Sequence, residues 1–227
     1  MTAPLKLVIF DVDGTLVDSQ ADILAAMEAA FAGVSLPLPA RDTVLSIVGL
    51  SLPEAMARLA PKAAPETRAA MVEGYKARYM SLRAENGVEV SSPLYPHVRG
   101  VLDQLHAQPE TLLGIATGKS RRGLDKLLDG HGLRSLFVTQ QCADDHPSKP
   151  NPAMLRAALS ETGLGARQAV MIGDTSYDME MARAAGMLAI GVSWGYHEPA
   201  RLRDAHMVID DIRLLPGLLD QVWRQLA

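Results

Sequence analysis

Six short apolar runs, most of them stopping at a glycine, an aspartate or a threonine, constrain this chain more than any other feature. They are Leu5–Phe10, Leu112–Ala116, Leu136–Thr139, Ala169–Ile172, Leu188–Val192 and Met207–Ile209. Their hydrophobicity is continuous rather than alternating, which fits strands buried on both faces of a parallel sheet. Helical spacing fills the intervals: Val101, Leu102 and Leu105; Met154, Leu155, Ala158 and Leu159; Met179, Ala182 and Ala185. Strands that alternate with helices predict an α/β fold built on a doubly wound, Rossmann-like parallel sheet. A chain of 227 residues, 48% of them apolar, is long enough for that core and a smaller insert.

One interval breaks the alternation. Between residues 18 and 92 the patterns are helical, with one stripe of Ile23, Leu24, Met27 and Phe31 and another of Met71, Val72, Tyr75, Tyr79 and Leu82. Ser51-Leu-Pro-Glu54 reads as a capping box with proline near the first helical position. This stretch is too long for an ordinary crossover. It predicts an inserted all-α domain over 18–92, with residues 1–17 and 93–227 forming the α/β core. The outgoing linker is expected near Leu16–Ser19 and the return linker over Ser91-Ser-Pro-Leu-Tyr-Pro96.

The net charge of −4, without long runs of one sign, argues against a nucleic-acid or membrane-surface partner. No apolar stretch approaches the roughly 20 residues that a membrane span needs. Cys142 is the only cysteine, which excludes an intrachain disulfide and suits a reducing cytoplasm. A lone thiol with no activating neighbour in sequence reads as a small core residue.

In an open parallel sheet, ligands bind beyond the carboxyl ends of the strands. There the first run leads into Asp11-Val-Asp13-Gly14-Thr15 and the second into Thr117-Gly118-Lys119. The fourth leads into Gly173-Asp174-Thr175, with Asp178 four residues after Asp174, and Lys149-Pro150 opens the helix before that strand. Each motif alone is an ordinary turn or cap. Together they bring Asp11, Asp13, Asp174, a hydroxyl and a lysine to one edge of the sheet. Carboxylates so close repel unless they are protonated or share a cation. An oxygen-only set favours magnesium over zinc. A carboxylate beside a metal ion and an ammonium group is poised to attack phosphorus, a reaction that needs mainly positioning and charge neutralisation.

The segments Phe10–Ser19, Ala116–Lys119, Ser148–Pro152 and Ile172–Asp178, with the flanking Met179–Gly186 and Ile190–Tyr196, resemble the haloacid dehalogenase superfamily in its phosphatase branch. The resemblance spans nearly the whole chain. It implies that Asp11 is the nucleophile forming an aspartyl-phosphate and that Asp13 is the general acid and base. It implies that Thr117 and the Gly118 amide, beside Gly14, hold the phosphoryl oxygens and that Lys149 neutralises them. Magnesium would be bound by Asp11, Asp174 and the backbone carbonyl of Asp13, with Asp178 behind them. Asp13 also separates this chain from true dehalogenases, which lack a second aspartate there. The insert is then expected to be a cap, with Val48–Leu52 as its specificity loop and Arg41, Arg58 and Arg78 as candidates to meet a substrate carboxylate. His146 and His197 are expected to be surface loop residues. Among capped relatives the pattern is most similar to phosphoglycolate phosphatase, so the expected partner is a small phosphorylated metabolite and the expected state a monomer or homodimer. A phosphomutase on the same scaffold is the enzyme alternative. A receiver-like signalling domain is the non-enzyme one, disfavoured because Asp-x-Asp-Gly ends the first strand and a large insert follows it.

Overall fold

The computed structural model describes residues 4–226. β1 (Lys6–Phe10) leads into a helical insert of α1 (Gln20–Ala32), α2 (Arg41–Leu45), α3 (Leu52–Leu59), α4 (Pro65–Asn86) and α5 (Val88–Ser91). Then come α6 (Val98–His106), β2 (Thr111–Thr117), α7 (Arg121–Gly130), β3 (Phe137–Cys142), α8 (Ala153–Thr162), β4 (Ala169–Gly173), α9 (Ser176–Ala184), β5 (Leu188–Val192), β6 (Met207–Ile209) and α10 (Leu215–Leu226).

The six strands form one sheet in the order β3-β2-β1-β4-β5-β6, and every pairing is parallel. The six apolar runs thus become the six strands, with ends shifted by three residues at most. The reason for their continuous hydrophobicity is visible in β1. Val8 and Phe10 pack into a cluster with α6, α7 and α10, while Leu7 and Ile9 pack the other way against α8 and α9. Both faces are dry, so neither set of alternate residues is free to be polar. β1 sits between β2 and β4, at the point where the strand order reverses, which is where such sheets place their ligands.

The insert has an apolar centre of its own, with Met27 and Phe31 of α1, Val44 of α2, Met56 of α3 and Met71 of α4. Tyr177 of α9 joins it from the sheet side. Its two connections run side by side as a short antiparallel pair: Val17 bridges Leu94, the Asp18 amide donates to Pro93 O at 2.9 Å, and the Tyr95 amide donates to Leu16 O at 3.0 Å.

The capping box expected at Ser51 does not form. Ser51 occupies the cap position of α3, with Pro53 in the first turn, but its side chain makes no capping bond. Its amide donates to Ser148 Oγ at 2.8 Å, and Glu54 pairs with Arg58 instead of turning back. Among the described residues no helix is long and apolar enough to cross a membrane.

Candidate active site

The carboxyl end of β1 delivers Asp11 and Asp13 into one turn, which Gly14 completes with φ at +85°. A side chain on Gly14 would collide with the Asp174 carboxylate, so glycine here allows the turn after β1 to press against the end of β4. Asp174 is fully buried. It accepts from Thr15 Oγ1 at 2.9 Å on one oxygen and from the Tyr196 amide at 2.8 Å on the other.

Lys149 is also fully buried, with Nζ 2.9 Å from Asp11 Oδ1 and 2.7 Å from Asp178 Oδ1. The contact to Asp11 is an ion pair off the hydrogen-bonding direction, and neither Asp11 oxygen has a hydrogen-bond partner. Asp178 is fully committed. Besides Lys149 it takes the Thr175 amide at 3.1 Å and Thr175 Oγ1 at 2.6 Å, closing a capping box on α9.

Oxygens of Asp11, Asp174 and Asp178 all lie within 4.8 Å of one another. Burial pushes the Asp11 carboxyl up to about 7, the Asp178 and Asp13 charges push it the same way, and Lys149 opposes them. Burial raises Asp174 well above the usual range, helped by the charges of Asp11 and Asp178. Lys149 would be lowered by burial, yet the two carboxylates beside it outweigh that and raise it. With all three carboxylates ionised, the cluster would carry more negative charge than one lysine offsets, and burial together with this mutual repulsion pushes Asp11 and Asp174 toward their neutral forms. Its donors are all hard oxygens, and two of them, on Asp11, lack any hydrogen bond. That set fits a hard divalent cation such as magnesium. Asp178 takes bonds from Lys149 and twice from Thr175, while the Asp11 oxygens take none and each Asp174 oxygen takes one, so Asp11 and Asp174 keep the more capacity to hold one.

Asp13 points the other way. It accepts from Lys119 Nζ at 2.7 and 2.8 Å and from Ser19 Oγ at 2.5 Å. Burial alone would raise its carboxyl, but the Lys119 charge and these hydrogen bonds prevail and hold it below the ordinary value. Asp11, Asp13, Thr117 and Gly118 line one cavity of about 590 Å³ between the sheet and the insert. Thr117 Oγ1 accepts from the Lys119 amide at 3.2 Å, just beyond the end of β2. The Val48–Leu52 loop forms the opposite wall of the cavity and lies so close that a side chain on Gly118 would strike the Gly49 carbonyl.

All the sequence-predicted residues Asp11, Asp13, Gly14, Thr117, Gly118, Lys149, Asp174 and Asp178 thus meet at one end of the sheet. The three arginines singled out from sequence do not meet them. Arg41 binds Gln20, Arg58 binds Glu54 and Tyr177, and Arg78 binds Glu85, none of them lining the cavity. Arg83 does line it. Nor is His197 a surface residue: it is 1% exposed, accepts from the Ser176 amide at Nδ1 and contacts Ser46 O at Nε2. Sequence reasoning also gave no role to Lys119, although it sits in the Thr117-Gly118-Lys119 motif, nor to Thr15, Ser19 and Tyr196. Cys142 is buried as expected, and burial raises its thiol to about 11.

A profile of the haloacid dehalogenase-like hydrolase family matches residues 8–192. The chain is 38% identical over 216 residues to "Probable phosphatase IndB" of Dickeya dadantii, covering 93% of this chain and 92% of that one. It is 32% identical over 219 residues to "Phosphoglycolate phosphatase" of Pseudomonas fluorescens, covering 95% and 80% respectively. Its fold matches a solved hydrolase from Pseudomonas syringae with a TM-score of 0.83 at 24% identity, over 95% of this chain and 98% of the other.

Proposed function

The chain belongs to the haloacid dehalogenase-like hydrolase family, and on that footing we propose that it is a magnesium-dependent phosphatase acting on a small phosphate monoester through an aspartyl-phosphate on Asp11. One observation carries the reading: both Asp11 oxygens are buried without a hydrogen bond, beside Lys149 and Asp174, at the floor of a cavity. A buried carboxylate held by one ion pair but by no hydrogen bond keeps its lone pairs free for a ligand or a reaction.

Magnesium, held by Asp11, Asp174 and the Asp13 carbonyl, would supply charge neutralisation that lets an anionic carboxylate approach an anionic phosphoryl group. Asp11 attacks phosphorus, and the ester oxygen departs as the bond to it breaks. Lys149, fixed by Asp178, balances charge on the Asp11 side of the reacting group. Thr117 Oγ1 and the Gly118 amide donate to the phosphoryl oxygens. Asp13 is kept ionised by Lys119 in the resting protein, the form that later takes a proton from water. A dianionic ester next to it raises its carboxyl toward the neutral form that protonates the leaving oxygen. The helical insert closes over the cavity and excludes bulk water from the intermediate. The chain's similarity to curated phosphoglycolate phosphatases supports a phosphoglycolate-like substrate.

The test is phosphate release from a panel of monoesters with magnesium and with a chelator, without added bisphosphate. Magnesium-dependent release from the native chain, abolished in Asp11→Asn, is expected. A strict bisphosphate requirement would point to a mutase, and no release from any ester would overturn the reading.

A further inference from the structure

The cavity is lined by one buried cation that the described residues satisfy only in part. Arg83, on α4, is 8% exposed and lines the same cavity as Asp11 and Asp13. Its Nη1 donates to Gly123 O at 3.0 Å, while Nε and Nη2 are buried without any partner. Lys76 and Arg78 of the same helix pair with Glu73 and Glu85, and Arg68, which meets only a backbone carbonyl, is not buried. Arg83 makes no ion pair among the described residues. Leaving two donors of a buried charge unused costs more than their bonds would gain, so such groups are retained for a purpose.

The geometry indicates which one. Nε–H and the nearer Nη2–H point to the same side of the guanidinium and form the fork that grips two oxygens of one carboxylate or phosphate. The plane is held in place from two directions. Nη1 is anchored to the first turn of α7 through Gly123, and the guanidinium lies over the Tyr79 ring at 5.0 Å. Lys119 Nζ contacts the same ring at 5.2 Å and reaches Asp13 at 2.7 Å. One aromatic ring is thus in contact with both the Arg83 guanidinium and the lysine that holds Asp13, the carboxylate expected to serve the leaving group. The cavity, at about 590 Å³, accommodates leaving groups well beyond glycolate in size.

Resting on the phosphatase reading, we propose that Arg83 is the specificity residue of this site: its guanidinium, which lines the cavity with two donors unspent and turns them toward the bound ester, receives a second oxyanion, carboxylate or phosphate, carried by the alcohol portion of the substrate. The substrate class is then a phosphate monoester with a second negative group, and esters of neutral alcohols are disfavoured. A latch between insert and sheet would account for the bond to Gly123 but leaves the two remaining donors without use.

Three matched esters test this: phosphoglycolate, which supplies a carboxylate; ethylene glycol bisphosphate, which supplies a phosphate; and ethyl phosphate, which supplies neither. kcat/KM is measured for each in the native protein, in R83M and in R83K. The native protein should prefer at least one doubly anionic ester over ethyl phosphate, and which of the two identifies the oxyanion. In R83M that preference should fall by roughly ten- to a hundredfold, the scale of a charge-assisted hydrogen-bond pair. R83K retains charge without the fork and should lose most of it too, so the test survives if R83M does not fold. A loss of the same factor for all three esters would reduce Arg83 to a latch and overturn the proposal, as would a native protein without the preference. A native protein inert toward every ester would instead overturn the phosphatase reading, and this one with it.

Discussion

The Asp178 carboxylate holds the Lys149 ammonium at 2.7 Å while its second oxygen closes the cap of α9 through Thr175. The start of a helix and the orientation of a buried lysine are therefore set by one side chain. Thr175 follows Asp174 directly, so the same cap also fixes the backbone that aims Asp174 at Asp11.

Asp178→Asn should keep much of the cap, because an amide oxygen still accepts, but it removes one of the two charges that hold Lys149. The expected result is a fall in kcat of about ten- to a hundredfold, the usual scale for a group that orients another, with a smaller change in melting temperature. Asp178→Ala should additionally lose roughly 1 kcal/mol of stability with the cap. Steady-state kinetics and thermal unfolding of both variants separate these effects. An unaltered kcat in Asp178→Asn would mean that Asp11 alone is enough to place the lysine.

Asp13→Asn should slow turnover by about 10²–10⁴, the range of acid–base assistance. Its effect should depend on the leaving group. An ester of an acidic phenol needs little protonation, so only the hydrolysis of phosphorylated Asp11 remains impaired and phosphoenzyme accumulates. Rapid quench should then show a burst of the phenol close to one equivalent per active site. A proportional slowing without a burst would place the role of Asp13 before the covalent step only.

Gly195→Ala tests how tightly the end of β4 is enclosed. A Cβ at this position would run into the Asp174 side chain, whose carboxylate also accepts from the neighbouring Tyr196 amide. Asp174 would have to turn away from Asp11. The magnesium concentration needed for half-maximal activity should rise by at least about tenfold, the scale seen when the support of a metal ligand is disturbed. Titrations of activity with magnesium, alongside thermal unfolding without it, would check this. An unchanged magnesium requirement would remove Asp174 from the ligand set.

These sites differ in how much of them a reader of the sequence could see. The ends of β1, β2 and β4 were legible because a strand buried on both faces must be apolar and must then stop, so a polar residue at its tip is conspicuous. Asp11, Asp13, Thr117 and Asp174 all have that position. Arg83 does not. It lies within a helix of 22 residues rich in exposed charge, and only the approach of α4 to Gly123 and Tyr79 makes it different from Arg78 five residues earlier. His197 was hidden for the same reason, since its partners Ser176 and Ser46 are 21 and 151 residues away. The local rule at Ser51 failed because a distant hydroxyl, Ser148 Oγ, took the amide that a capping box needs.

His197 makes stability depend on pH with a definite sign. The Ser176 amide donates to Nδ1 at 3.0 Å, so Nδ1 carries no proton, and Nε2–H donates to Ser46 O at 2.9 Å. The ring thereby ties the loop before α3 to the first turn of α9. Tyr177 packs edge-on at 5.3 Å, and the Arg201 and Asp178 charges act on it from two further elements. Burial lowers its pKa from 6.5, with Arg201 adding to that and the Ser46 carbonyl and Asp178 opposing. A proton added at Nδ1 would break the bond to Ser176. The folded pKa is below the unfolded one, so this contribution is fully present above about 6.5 and is lost as pH falls through the folded value. His197→Gln should lower the melting temperature near neutral pH and flatten its decline between about pH 7 and 5. The buried carboxylates titrate in both proteins, so the difference between the two curves isolates the imidazole. Parallel curves over that range would mean that His197 is not kept neutral by its two backbone partners.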